Sequence, residues 1–350
     1  MLREIPIFGI CGNSGSGKTT LIEMLVPRLR ERGFSVAVAK FHASHIRIDT
    51  PGKDSDRLFE TGADVTLHGR EQGFTRTHAT ADEESVRRLA EFARRYDLVL
   101  LEGRKPIDCE KVWLLAEGET SAPEEAGEII AKVARNADRT ETVWKILDEW
   151  LAAQWLRTPV YGCVLIGGAS TRMGRPKHLI ETDGRTWVER ACAAMRELTE
   201  RVAVVGAGEL PEGLTEVVRL PDVTDATGPV SGILSAMRWA PGASWLVSAC
   251  DLPNVSTEAL RWLLSTRAPG VWATIPKLAG RENVEPLLAH YDFRARTLID
   301  RMLTTGHAGP SRLAREEKVI TPAPPVEIAS AWENVNTPED LSRAAPKKGV

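Results

Sequence analysis

The chain has 350 residues, 43% hydrophobic and 27% charged, with a formal net charge of −3; it is long for one domain and suited to two globular ones of ~100–200 residues each. The charge excludes a broad basic face for nucleic acid, so affinity for phosphate has to reside in local loops. Five cysteines without a Cys-x-x-Cys pair exclude a zinc site and a disulfide framework, and with no secretion signal at the start and no run near ~20 apolar residues, a cytoplasmic protein without membrane spans is expected.

Residues 5–11 form a short apolar run leading into Gly12-Asn13-Ser14-Gly15-Ser16-Gly17-Lys18-Thr19, a complete Gly-x-x-x-x-Gly-Lys-Thr. Such a loop sets the amides of Gly12, Gly15 and Gly17 around phosphates, lets Lys18 reach the outer ones and offers the Thr19 hydroxyl to Mg²⁺. Thr20 joins these candidate contacts at the start of the helix predicted over 19–32, where Leu21, Ile22, Leu25 and Leu29 recur at helical spacing before Gly33. A strand is predicted over 35–41, followed by a polar loop through His42, His45, Asp49 and 53–57 that is rich in turn formers. The two histidines admit metal ligation or ordinary hydrogen bonding. Short strands over 65–67 and 73–78, an amphipathic helix over 82–94 and an apolar strand over 97–101 closed by Glu102 complete this stretch. An acid at the carboxyl end of such a strand can complete a Mg²⁺ site, which makes Glu102 the first candidate ligand and Asp49 the second; turn capping is the other reading of Glu102.

These segments resemble the MobB family, the GTP-binding adaptor proteins of molybdopterin guanine dinucleotide synthesis. Beside the P-loop, Pro51-Gly52-Lys53-Asp54-Ser55 and Thr61-Gly62-Ala63 fit the family pattern closely. The histidines depart from its Lys-His-x-His-His stretch, since Phe41 precedes His42 and Ala43-Ser44 separate it from His45. The resemblance covers about residues 5–157 and implies GTP as the ligand.

A strand is predicted over 111–115 and helices over 129–137 and 140–156, the second with Val143, Ile146, Leu147, Trp150 and Leu151 along one side. Pro159 interrupts before the next strand, which puts the boundary between domains 1–157 and 158–350. An apolar strand over 161–166 runs into Gly167-Gly168, Arg172, Gly174, Arg175 and Lys177. The glycines let main chain come close to a ligand, the cations stand where a triphosphate would lie, and Leu165, Ile166, Gly167 and Gly168 become candidate nucleotide contacts. Helix 187–198 and strands 201–205 and 217–220 lead to Asp222 and the turn Gly228-Pro229-x-x-Gly232, which opens a helix to 239. Asp222 either faces a ligand or caps the turn. The apolar run from 245 ends on Asp251-Leu252-Pro253, a carboxylate placed to bind Mg²⁺. A strand over 271–275, the turn Glu285-Pro286-Leu287, a helix over 293–303 and Asn334-Val335-Asn336-Thr337-Pro338-Glu339-Asp340-Leu341 follow. Asparagine amides suit a pterin or phosphate edge, while Thr337 suits a helix start.

The pattern Leu165-x-Gly167-Gly168-x-x-x-Arg172-Met173-Gly174-x-x-Lys177, with Cys250-Asp251-x-Pro253, Glu285-Pro286-Leu287 and the Asn334–Leu341 ending, resembles the molybdenum cofactor guanylyltransferases, the MobA family, over about 160–343. The resemblance implies transfer of GMP from GTP to molybdopterin, with Mg²⁺ on Asp251, charge neutralised by Arg172 and Lys177, a base and ribose wall at Asp222, Gly228 and Gly232, and acceptor contacts at Glu285, Asn334 and Asn336. Gly206-Ala207 stand where many members have an asparagine that touches the nucleotide. The expected fold is α/β throughout, a P-loop NTPase domain followed by a Rossmann-like nucleotidyltransferase domain. Two rival readings are cytidylyl transfer to the same pterin, which Gly167-Gly168 disfavours, and a GTP-driven delivery or scaffold protein. Implied partners are GTP and molybdopterin, then a molybdenum insertase and apo-molybdoenzymes or their chaperones, without nucleic acid or membrane.

Overall fold

The computed structural model describes residues 5–41, 49–78, 82–103, 107–167, 175–337 and 339–340. The chain divides into two compact units, Met1–Leu147 and Asp148–Val350, and the division falls inside the helix Arg139–Arg157 rather than after it.

The first unit runs β1 (Ile7–Gly12), α1 (Lys18–Glu31), β2 (Val36–Lys40), α2 (Asp54–Glu60), β3 (Val65–His68), β4 (Gly73–Arg76), α3 (Asp82–Ala93), β5 (Leu98–Glu102), β6 (Lys111–Leu114), β7 (Ile129–Val133) and the start of α4 (Arg139–Arg157). Its main sheet is all parallel in the order β2-β5-β1-β6-β7, and β3 with β4 forms a separate hairpin. Every residue of β1 and β5 is buried, which is why both read as unbroken apolar runs: a parallel sheet is covered on both faces. Parallel strands also deliver the carboxyl ends of β1, β5 and β6 to one edge, where the phosphate loop and Glu102 lie.

Two expectations for this unit fail. Residues 129–133 form edge strand β7 instead of a helix, because Ile129, Ile130 and Val133 are β-branched and the segment finds a parallel partner in β6. The polar loop over 53–57 becomes α2, with Asp54 and Asp56 in its first turn, where acids favour the helix dipole.

The second unit runs β8 (Val160–Leu165), the short hairpin β9 (Glu181–Thr182) and β10 (Arg185–Thr186), α5 (Trp187–Arg196), β11 (Arg201–Val205), β12 (Val218–Leu220), α6 (Pro229–Trp239), β13 (Ser244–Ala249), α7 (Thr257–Ser265), β14 (Ala273–Thr274), β15 (Leu288–Tyr291), α8 (Ala295–Thr304) and β16 (Val319–Ile320). Its sheet order is β12-β11-β8-β13-β15-β14-β16, with β15 antiparallel to both neighbours. Strand alternation splits the core in two: Cys163, Leu165, Ala203, Val205, Trp245 and Val247 pack against α6 and α8, while Val164, Val202, Val204 and Leu246 pack against α5 and α7. Thr186 and Glu189 form a reciprocal capping box that starts α5 directly after the hairpin. Helix α7, absent from the sequence-based reading, starts where the Ser256 hydroxyl accepts from Ala259 N.

All five cysteines are buried with free thiols, and burial pushes Cys109, Cys192 and Cys250 up to about 12. Among the described residues no helix is long and apolar enough to cross a membrane.

Strand β15 buries His290, and among the described residues neither ring nitrogen has a hydrogen-bond partner. Burial first, and the Arg267 guanidinium second, push its pKa down to about 3. The folded chain holds it neutral, whereas an unfolded histidine takes up a proton near pH 6.5; stability is therefore intact above that pH and falls from there towards pH 3, at up to about 1.4 kcal/mol per pH unit. His290→Leu should flatten that acid limb by one proton in urea titrations between pH 7.5 and 4.5 followed by tryptophan fluorescence. Equal slopes in the two proteins would mean that His290 ionises in place.

Candidate functional site

In the second unit β8 lies between β11 and β13, both parallel to it, so the three carboxyl ends share one edge of the sheet. Main-chain bonds carry the ladder one residue further: Ile166 N donates to Val205 O at 2.9 Å and Cys250 N donates to Leu165 O at 3.0 Å. At Gly206, φ is +122°, and a Cβ there would stand 2.8 Å from the Gly167 amide nitrogen. A Cβ on Gly232 would stand 2.6 Å from Leu165 Cδ2, so α6 also approaches the strand end through a glycine. Only residues without side chains allow main chain from these segments to converge this closely.

Asp222 is tied into the turn that opens α6. Its Oδ1 accepts from Ser231 Oγ at 2.7 Å in the first turn of α6, which begins at the cap Gly228, while Oδ2 lies 3.5 Å from where a Gly167 Cβ would be. A second group joins Lys177, Asp251 and Asn336. Lys177 Nζ is 3.2 Å from Asp251 Oδ2 and donates to Asn336 Oδ1 at 2.7 Å, and the lysine and aspartate side chains retain 15% and 22% exposure, enough to meet a ligand. The main chain repeats the link, since Val335 N donates to Asp251 O at 3.0 Å. Lys177 rides on the 3₁₀ turn Lys177–Leu179, which buried His178 ties to the loop after β11 by donating from Nε2 to Glu209 O at 2.9 Å. Because a carbonyl only accepts, that nitrogen carries the proton. His178 and Ser231 were not singled out in the sequence; each works by supporting a neighbour, and no motif marks such a role.

Around this group, Glu285 meets Arg281 at 3.3 Å, and two residues on Leu287 O accepts from Ala249 N, which sets the Glu-Pro-Leu turn beside the end of β13. Asn334 is exposed. Asp340 Oδ2 accepts from the amides of Asn336 and Thr337, so capping engages the Asn336 main chain while its side chain turns to Lys177. Arg172 and Gly168 lie outside the described residues, as do His42 and His45.

In the first unit Gly12, Gly15 and Gly17 have φ of +150°, +75° and +85°, the conformations that wrap main chain around an anion. Lys18 Nζ donates to Gly12 O at 3.1 Å and Asn13 O at 2.8 Å, holding its charge over the loop. Thr19 Oγ1 donates to Glu102 Oε1 at 2.9 Å, and Lys40 Nζ meets the same oxygen at 3.1 Å, while Thr20 is exposed beside them. Asp49 belongs to a different group: it accepts from Ser55 Oγ at 2.9 Å and lies 3.7 Å from Arg76.

Among the described residues no three His, Cys, Asp or Glu side chains gather as a metal cluster. Mg²⁺ asks for less, one or two carboxylates with water and phosphate oxygens making up its octahedron. Asp251, and Glu102 with the Thr19 hydroxyl, each fit that demand.

The family described as MobA-like NTP transferase domain matches residues 162–319, and that described as molybdopterin guanine dinucleotide synthesis protein B matches 7–135. The chain is 30% identical over 190 residues to a probable molybdenum cofactor guanylyltransferase of Bacillus anthracis, covering 52% of this chain and 94% of that protein. Among solved structures, molybdopterin-guanine dinucleotide biosynthesis protein A of Archaeoglobus fulgidus is 27% identical, with a TM-score of 0.45, over 53% of this chain and 96% of its own. A molybdopterin-guanine biosynthesis protein B is 28% identical, with a TM-score of 0.32, over 41% of this chain and 98% of its own.

The convergence at Gly206 yields a direct test. Gly206→Ala forces either the φ of +122° or the contact with Gly167 to change, at a cost of about 1–3 kcal/mol. Thermal unfolding should show the corresponding drop in Tm, and an unshifted Tm would mean that the main chain relaxes freely there.

Proposed function

Since the chain belongs to the molybdenum cofactor guanylyltransferases, with a MobB domain ahead of the transferase domain, we propose that its second half moves GMP from GTP onto molybdopterin while its first half binds GTP as an adaptor. The observation that carries this reading is the meeting of Lys177, Asp251 and Asn336 at the carboxyl ends of parallel strands. A cation, a carboxylate and an amide there can grip a triphosphate on one side and an acceptor on the other.

A terminal phosphate oxygen of molybdopterin, with or without bound molybdenum, attacks the α-phosphorus of GTP. The bond from that phosphorus to the bridging oxygen breaks, and pyrophosphate leaves. Alignment and charge cancellation carry such a displacement, so no protein nucleophile is needed. Main chain at Leu165, Ile166, Gly167 and Gly168 lets the phosphates lie close, Lys177 and Arg172 neutralise them, and Asp222, Gly228 and Gly232 line the base and ribose. Glu285, Asn334 and Asn336 face the pterin. Asp251 would hold Mg²⁺, which when bound neutralises the triphosphate and the departing pyrophosphate.

In the first half Gly12, Gly15, Gly17, Lys18 and Thr20 hold the phosphates, and Thr19 with Glu102 would hold a second Mg²⁺. Asp49 would have to leave Ser55 and Arg76 to join them. Such a GTP-binding module suits handing product on to a molybdenum insertase, to apo-molybdoenzymes or to their chaperones in the cytoplasm.

Incubation with molybdopterin and either Mg·GTP or Mg·CTP, with the dinucleotide identified by mass, tests the reaction. The guanine dinucleotide and stoichiometric pyrophosphate are expected; a cytosine product would replace this reading by cytidylyl transfer. Asp251→Ala should lower the rate by about 10²–10³-fold, in the range for loss of one preorganised electrostatic contact, while GTP binding by the first half persists. Full activity in that variant rejects the role given to Asp251.

A further inference from the structure

Beside the phosphate loop of the first unit lies a cleft of about 410 Å³, walled by residues 115–119 after β6 and 134–136 after β7. Its volume falls in the range of ~300–1,000 Å³ common to small-molecule pockets. Two side chains fasten both walls to the phosphate loop. Glu119 Oε1 accepts from Asn13 Nδ2 at 3.0 Å and from Trp113 Nε1 at 3.1 Å, while its Oε2 accepts from Ala116 N at 2.7 Å. Arg139 donates to Ser16 O at 2.5 Å, to Ala134 O at 3.0 Å and to Leu115 O. One guanidinium thus touches the phosphate loop and both walls, so the cleft begins where the loop ends.

Glu119 and Arg139 are consumed by these structural bonds. Glu117, Arg135 and Asn136 also line the cleft, are exposed, and form no hydrogen bond or ion pair among the described residues. They are a carboxylate, a guanidinium and an amide carried on the turns that follow β6 and β7.

We propose that this cleft receives the base of the nucleotide held by the phosphate loop, and that the base is guanine, recognised through Glu117. The proposal rests on the reading of the first half as a GTP-binding adaptor and supplies the origin of its base preference. An ionised carboxylate only accepts hydrogen bonds. Guanine presents two adjacent donors to it, N1–H and the 2-amino group, whereas adenine sets the N1 lone pair beside its 6-amino group and meets a carboxylate with one donor and one repulsion. The Asn136 amide donates to O6 or N7 of guanine, and the planar guanidinium of Arg135 lies against the ring face.

The test is competition against a fluorescent N-methylanthraniloyl GTP on the full chain, taking as first-half binding the component that Lys18→Ala removes. GTP should displace it at least tenfold better than ATP, and ITP, which lacks the 2-amino group, should fall between. Glu117→Gln points an amide N–H₂ at guanine's donors; it should weaken GTP by tenfold or more and erase the gap between GTP and ITP, while inorganic tripolyphosphate competes as before. Asn136→Ala should weaken GTP and ITP equally. An intact GTP preference in Glu117→Gln overturns the assignment and leaves the adaptor reading standing. If no component depends on Lys18, and tripolyphosphate displaces nothing, the adaptor reading falls and the base assignment falls with it.

Discussion

One ammonium group holds the second half's candidate site in order. Lys177 Nζ lies between Asp251 and Asn336, which arrive from the end of a buried strand and from the far end of the chain. Removing a lysine and an aspartate from water costs about as much as their attraction returns, so the pair adds little net stability. It fixes position. The carboxylate is kept at the strand end, the closing segment is tied to it, and the opposite charges are balanced. The glycine convergence at Gly206 and the tie between Asp222 and Ser231 order the neighbouring strand ends in the same unit.

The two candidate phosphate sites are built by different physical means. The first is a main-chain loop with three glycines at positive φ and a lysine folded back over it. Its hydroxyl and carboxylate partners, Thr19 and Glu102, sit side by side on neighbouring elements. The second brings main chain close through glycines on three separate segments and imports its cation from a turn. An enclosing loop suits holding a nucleotide, while an open sheet edge leaves room for an acceptor to approach in line.

What could be read in the sequence was what is local. The pattern from Gly12 to Thr19 is contiguous, running from the end of β1 into α1, and Asp251 stands just after an apolar strand. Residues 129–133 suit either helix or strand by their pattern until a partner strand decides, and β6 is that partner. Helix α2 hid among turn formers, since serine and aspartate are equally at home in loops and first turns. Asn13 meets Glu119 across 106 residues and Arg139 meets Ser16 across 123. Those contacts exist only once the parallel register sets the ends of β1, β6 and β7 side by side, and no spacing in the chain encodes them.

The sealed thiols have a practical corollary for anyone wishing to watch this molecule work. Every native cysteine is buried and uncharged, so a maleimide dye or nitroxide reagent finds no native thiolate to modify in the folded chain. A cysteine introduced on an exposed loop becomes the single reactive handle, with no need to strip the natural ones and disturb the core they fill. Each half can therefore carry its own spectroscopic reporter in an otherwise unaltered background.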